Sequence, residues 1–258
     1  MNRRLKLACG GALSLAITLW GGWTVADEFQ LERWWADAFA IRSVKIEGSL
    51  EYLDREHVKA RLLPAVNLNY FAADVEAIKA VMENMPWVDQ AWVAKQWPDT
   101  VVVRVREHRP YARWNDTGLL DVRGQRYEPE DVEAFSGLPQ VRGPIGQELY
   151  LFKMLQEMEA LTTAQGLKLA VLELNQRQAW SVRLMGDMEI KIGRQHDPLT
   201  MFKRFLRALP LLGDERIGMI AKVDLRYPNG FSVSWREADG VVWDPWQVRQ
   251  QVSLGRIE

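Results

Sequence analysis

Three periodicities of apolar residues succeed one another along this chain, and each marks a different kind of element. The first is unbroken: LACGGALSLAITLWGGWTVA, residues 7 to 26, carries no charge and follows Arg3, Arg4 and Lys6. At about 1.5 Å per helical residue such a run spans about 30 Å, one hydrocarbon core. The basic flank predicts a cytoplasmic tail over residues 1 to 6, with Asp27, Glu28 and Glu32 on the far side. Trp20 and Trp23 fall at the exit end, where indole rings settle at the membrane interface. Leu31, Trp34, Trp35, Ala38 and Phe39 then make an apolar stripe opposite Glu32, Arg33 and Asp37, the pattern of a juxtamembrane helix over 27 to 40. A cleaved signal peptide is the competing reading, since Thr24-Val25-Ala26 ends in small residues before Asp27. The apolar run, however, is longer than the roughly 7–15 residues of such signals.

Shorter periods follow. Ile41, Val44 and Ile46 alternate imperfectly up to Gly48, as in a first strand. Asp54 opens a helix through Val58 and Leu62, which Pro64 is expected to stop. A second helix follows Asp74, with Val75, Ile78, Val81, Met82 and Met85 at helical spacing. WVDQAWVAKQW and TVVVRVRE then face each other across Pro98-Asp99, with Val101, Val103 and Val105 on one side and Arg104 and Arg106 on the other. Residues 41 to 109 thus read as a small α+β domain of order strand, helix, helix, strand, strand.

From 110 to 237 strands dominate. ARWN and GLLDVRG bracket the turn Asp116-Thr117-Gly118, and the proline- and glycine-rich stretch 128 to 146 reads as loop. A helix over about 147 to 164 places Leu151, Leu155, Met158 and Leu161 on one face. LAVLELN, AWSVRLM and MEIKIG read as strands, and Asp197-Pro198 starts a helix with Phe202, Phe205, Leu206 and Leu209 buried. IAKVDLRY and FSVSW close the domain as a hairpin around Pro228-Asn229-Gly230. Residues 238 to 258 lose periodicity and read as a flexible tail that still carries Trp243 and Trp246. The fold class is α+β: one transmembrane helix, a small β-α-α-β-β domain and a strand-rich domain with two or more helices.

Composition changes this picture little. A formal net charge of -1 implies no attraction to nucleic acid, and a single cysteine, Cys9, excludes an internal disulfide. Twelve tryptophans are many for 258 residues and suit a chain that meets a membrane and a protein partner.

No pattern of residues points to catalysis. Asp116-Thr117-Gly118 resembles an aspartic-protease motif but lacks the apolar strand leading in and a second copy, so a turn accounts for it better. His196-Asp197 could orient an imidazole, yet Asp197 stands where a helix N-cap belongs and no nucleophile is placed nearby. His57 sits among charges on a short helix, and His108 lies just past a strand end. These scattered histidines offer no metal spacing, and the acidic run 128 to 133 lacks the calcium-loop pattern. No phosphate-binding glycine loop is present. The sequence implies no catalytic residue, no cofactor, no metal and no small-molecule substrate.

Five motifs in order carry a resemblance: PWV (86 to 88), KQWPD (95 to 99), ARWN (112 to 115), GR (193 to 194) and VDLRYPNG (223 to 230). With the anchor and two domains they make the chain similar to the FtsQ/DivIB cell-division proteins over about residues 1 to 237. The resemblance implies a POTRA domain at 41 to 109 and the family's β domain at 110 to 237. It implies a non-enzymatic scaffold in the bacterial inner membrane at the division septum, its bulk in the periplasm. Its implied partners are single-pass coiled-coil division proteins of the FtsB and FtsL type, other division membrane proteins and the lipid bilayer. Arg194, Arg226, Tyr227, Gly230, Phe231, Ser232, Val233 and Trp235 match the family's partner-binding region, and Gln90, Val93 and Lys95 its recruitment face. If FSVSW is the last strand of its sheet, its free backbone edge can take a further strand from a partner. Phe231, Val233 and Trp235 share one face by period two, and at least two of them are expected in the core. Two other readings remain beside this one: a periplasmic hydrolase released by signal cleavage, and a POTRA module of an outer-membrane transport system.

Overall fold

The alternating valines of TVVVRVRE become the middle strand of a three-stranded sheet. In the computed structural model, which describes residues 39–66, 69–227 and 230–236, the chain divides into two units between His108 and Arg109. The first unit runs β1 (Ser43–Glu47), α1 (Arg55–Val66), α2 (Val75–Glu83), β2 (Val88–Gln96) and β3 (Thr100–Glu107). Its sheet order is β1-β3-β2, with β1 parallel and β2 antiparallel to β3. Val101, Val103 and Val105 are buried with Val58, Leu62, Ile78 and Met82 of the helices, while Arg104 and Arg106 stand on the open face. Each fully buried valine or leucine contributes about 1.5–3 kcal/mol by leaving water.

Asp74 caps α2 by accepting the amides of Glu76 (2.9 Å) and Ala77 (3.3 Å), two of the donors that a helix start leaves unpaired. Pro64 does not stop α1. The helix runs through it to Val66, at the cost of the backbone bond Pro64 cannot donate. The reason is spacing: Val58, Leu62 and Val66 lie four residues apart on one stripe, and burying the third needs the last turn.

The second unit is a nine-stranded mixed sheet. Its strands are β4 (Pro110–Trp114), β5 (Gly118–Asp121), β6 (Arg126–Tyr127), β7 (Gln140–Arg142), β8 (Leu169–Leu174), β9 (Trp180–Leu184), β10 (Glu189–Gly193), β11 (Ile220–Asp224) and β12 (Ser232–Trp235). The spatial order is β12-β11-β10-β9-β8-β7-β4-β5-β6. Helices α3 (Glu148–Thr163) and α4 (Pro198–Ala208) bury Leu151, Leu155, Met158, Phe202 and Phe205 in one core with Val141, Leu172, Val182, Ile190 and Val223 of the strands. A short α5 (Asp214–Gly218) leads into β11.

The stretch 128 to 146 is not all loop. It holds a single 3-10 turn at Glu133–Phe135 and then β7, which pairs in parallel with both β4 and β8. Three residues are too few for a periodic signal, so β7 owes its existence to its neighbours. Asn115 of ARWN locks this region: it donates from Nδ2 to the Gly143 carbonyl (3.2 Å) and accepts the Gly143 amide (3.0 Å). Trp114 beside it is fully buried, so this motif serves the core.

Among the described residues no helix is long and apolar enough to cross a membrane. The expected span at 7 to 26 with Trp20 and Trp23, most of the juxtamembrane helix and the tail after residue 236 lie outside the described residues, as do Pro228 and Asn229 of the last turn.

Candidate functional site

The last strand lies at the border of the large sheet. Among the described residues β12 pairs with β11 alone, antiparallel, with Ser232 opposite Asp224, Val233 opposite Val223 and Trp235 opposite Ile220. Its far side carries backbone amides and carbonyls that no strand of this sheet takes up. Two-residue alternation then sorts its side chains. Phe231 and Val233 pack against the core, Phe231 edge-on to Phe205 of α4 with ring centroids 5.6 Å apart. Ser232 and Ser234 are exposed on the opposite face. Trp235, at the end of the strand, remains 46% exposed.

The strand ends of β10 and β11 bring three other sequence candidates together. These strands are parallel, with Lys191 opposite Asp224, so their carboxyl ends point the same way. Arg194 and Arg226 therefore emerge at one end of the sheet beside Tyr227, and all three side chains are exposed, Tyr227 by 54%. Trp235 stands at the other end of the edge, about 13 Å away by strand rise. Among the described residues no atom lies within 4 Å of the place a Cβ of Gly230 would take.

Two residues that hold Arg226 escaped the sequence reading. Asp224 receives its guanidinium from two sides: Nε donates at 2.9 Å to Oδ1 and the terminal nitrogen at 2.6 Å to Oδ2. The Arg226 amide also donates to Asp224 Oδ1, at 3.0 Å. These bonds hold the Asp224 carboxyl below the usual carboxylate range, the guanidinium bond above all. Arg226 is therefore held as a fixed fork with donors to spare. Gly193 has φ +79, and a Cβ there would stand 2.7 Å from Arg226 Cγ, so the arginine stem crosses β10 where only glycine leaves room. A spacing signal existed for both: Asp224 lies two residues before Arg226, and Gly193 just before Arg194.

The open face behind this edge is charged in both signs. Lys222 approaches Glu189 at 3.4 Å and Lys191 approaches it at 3.8 Å. The neighbouring Lys222 holds Lys191 below its ordinary value.

In the first unit, β2 borders its sheet. Val93 and Lys95 lie opposite Val103 and Val101 and so share the helix-covered side. Gln90 lies opposite Arg106 on the open side, where it accepts that guanidinium at 2.7 Å and Trp92 lies under it at 5.4 Å. The three recruitment candidates thus share one strand but not one face. Neither histidine pattern assembles a catalytic group: His57 and His196 are exposed, and Asp197 caps α4 through the Thr200 amide at 3.0 Å.

Two family models match these two units in turn. The POTRA domain of FtsQ type covers residues 39–108, and the carboxy-terminal part of the cell division protein FtsQ/DivIB covers 112–226. The chain belongs to the FtsQ/DivIB family of cell-division proteins. It is 35% identical over 225 residues to the cell division protein FtsQ of Methylomonas methanica, covering 87% of this chain and 88% of that one. To the FtsQ of Xanthomonas campestris it is 32% identical over 224 residues, 87% of this chain and 76% of the relative. To that of Allochromatium vinosum it is 31% identical over 239 residues, 91% of each. The first unit is accordingly a POTRA domain and the second the strand-rich FtsQ/DivIB domain. β12 lies just past the residues that the second model matches.

Proposed function

We propose that this FtsQ-family chain is a single-pass inner-membrane scaffold at the division septum, holding single-pass coiled-coil proteins of the FtsB and FtsL type along β12. On this reading residues 7 to 26 anchor the chain, residues 1 to 6 stay in the cytoplasm, and both described units work in the periplasm. Its role is binding and not catalysis.

The observation that supports it is the position of β12 at the sheet border. A partner strand added there gains main-chain hydrogen bonds along its length, and the exposed Tyr227, Trp235, Ser232 and Ser234 supply selection. Arg226, fixed by Asp224, and Arg194 favour an acidic segment at the Tyr227 end. Phe231 and Val233 hold the strand to its own core. Gln90, Val93 and Lys95 on β2 contribute a second surface, for recruitment to the septum.

The test is capture by the purified full chain of a coiled-coil division partner, with Tyr227→Ala and Trp235→Ala combined. The double variant should bind at least tenfold more weakly, about 1.4 kcal/mol or more, while its circular dichroism stays unchanged. Unchanged affinity would remove β12 and its flank from the interface. Photo-crosslinkers at positions 226 to 235 should capture the same partner in cells.

A further inference from the structure

The POTRA unit carries a second exposed aromatic group, at the corner where the described chain begins. Phe39 and Ala40 run against the segment 69 to 71: Ala40 bridges Asn69, and the Tyr70 amide donates to the Phe39 carbonyl at 2.7 Å. Asn69 caps the turn by accepting the Phe71 amide at 2.8 Å. The Phe71 ring meets Phe39 edge-on at 5.2 Å and Tyr70 at 5.5 Å, and yet Phe71 is 65% exposed. Lys95 stands over the Tyr70 ring at 5.7 Å and donates to the Phe71 carbonyl at 3.4 Å.

The β2–β3 turn lies at this same end. The Arg42 amide donates to the Asp99 carbonyl at 2.9 Å, which ties the incoming chain to the turn. Trp97 in that turn is 71% exposed. An indole and a phenyl ring left so open on one end of a domain are out of place in water, and Trp, Tyr and Lys together are the residues of a membrane interface.

We infer that this end of the POTRA unit rests in the lipid headgroup layer, with Trp97, Phe71 and Tyr70 as its aromatic contacts. The inference rests on the anchored reading above and adds the rings of Tyr70, Phe71 and Trp97 beside Lys95. Chain length supports the lipid as occupant. Residues 27 to 38 separate this corner from the end of the apolar run. They reach about 18 Å as a helix and at most about 40 Å extended. The corner is therefore tethered within about 40 Å of the membrane, whose headgroup layer is about 5–8 Å deep and within reach. The local charges are mixed. Arg42 is exposed and Lys95 half-buried, while Asp99 accepts the Thr100 hydroxyl at 3.1 Å and Asp74 is engaged in capping α2. The contact is thus aromatic in origin and depends weakly on salt.

The experiment uses the full chain with Cys9→Ser, reconstituted in phosphatidylethanolamine–phosphatidylglycerol vesicles containing lipids with a nitroxide at the headgroup. Single cysteines at Trp97→Cys, Phe71→Cys and, as control, Glu51→Cys carry a small fluorophore. Glu51 sits beside Glu107, at the other end of β3 and about 23 Å away by strand rise. Probes at 97 and 71 should be quenched at least threefold more than the probe at 51, at low and high salt alike. Equal quenching at the three positions, in a chain that floats with the vesicles after alkaline washing, overturns this inference and leaves the anchor standing. So does weak quenching at 97 and 71 combined with poor access to iodide, which would mean that residues 27 to 38 cover the corner instead. A chain removed from the vesicles by alkaline washing overturns the anchored reading and this inference with it. Both test positions are more exposed than buried, so loss of fold is not the expected result; circular dichroism of each labelled variant checks it.

Discussion

Gly193→Ala is the substitution that most directly tests how the edge site is built. Gly193 ends β10 at an irregularity in its pairing with β9, with φ +79, and a new Cβ would stand 2.7 Å from Arg226 Cγ and 3.1 Å from its Cδ. Two costs follow. Holding alanine at that φ costs about 1–2 kcal/mol. The arginine stem must also rotate, because the clash falls near the root of the side chain. That rotation breaks the fork onto Asp224 and leaves the stem off-rotamer, at a strain of about 0.5–1.5 kcal/mol. The total is about 1.5–3.5 kcal/mol. Hydrogen exchange of the β10 and β11 amides across urea reads this locally, without mixing in the POTRA unit. Their opening should move to lower urea by about 1 M at an m-value of about 2–3 kcal/mol/M. The decisive comparison is the double variant Gly193→Ala/Arg226→Ala. With the stem gone only the backbone cost remains, so the two substitutions should couple by about 1 kcal/mol. Strict additivity, or a Gly193→Ala protein as stable as the parent, would refute the account of how Arg226 is held.

Two further outcomes follow from single groups. Burial, and then the hydrogen bond its hydroxyl donates to Glu159 at 2.6 Å, push the Tyr111 phenol up to about 12 from 10.0. The native state therefore keeps a proton that the unfolded chain loses above about pH 10, so this stabilisation is complete below that pH and is lost as pH rises toward about 12. Thermal midpoints measured across that window should fall less steeply for Tyr111→Phe than for the parent, and parallel curves would exclude the effect. Asp74→Ala should destabilise the POTRA unit by about 1 kcal/mol and speed exchange of the Glu76 and Ala77 amides, whereas Asp74→Asn should retain most of the cap. Equal loss in the two variants would contradict a capping role.

Local chemistry made the POTRA unit legible before any coordinates. Its helices begin at Asp54 and Asp74, its strands alternate, and its longest pairing joins β2 and β3, which are neighbours in sequence, whereas β1 and β3 are not. Pro64 misled because helix continuation was decided by Val66 reaching the core, a tertiary gain that outweighs one lost backbone bond. In the second unit, β7 was invisible because Gln140, Val141 and Arg142 carry no period of their own and are strand only between β4 and β8. The candidate residues at 223 to 235 were readable from their motif. Asp224 lies within that motif, two residues before Arg226, but the room Gly193 leaves for the Arg226 stem joins two strands far apart in sequence and shows only in the fold.

Five motifs in order carried the resemblance to the family, while periodicity by itself determined the two-unit α+β organisation and the core-facing side of the strands long enough to show a period. These are consequences of burying apolar surface at periods of two and 3.6, which any stretch of chain displays locally. The tertiary structure alone decided the order of nine strands and, with it, that β12 borders the sheet. Strand order depends on pairings between residues far apart in sequence, whose free energy is shared among many weak contacts and is written in no single segment. The same holds for the aromatic corner: only the folded chain brings Phe71 and Trp97 to one end of the POTRA unit and leaves both of them in the open.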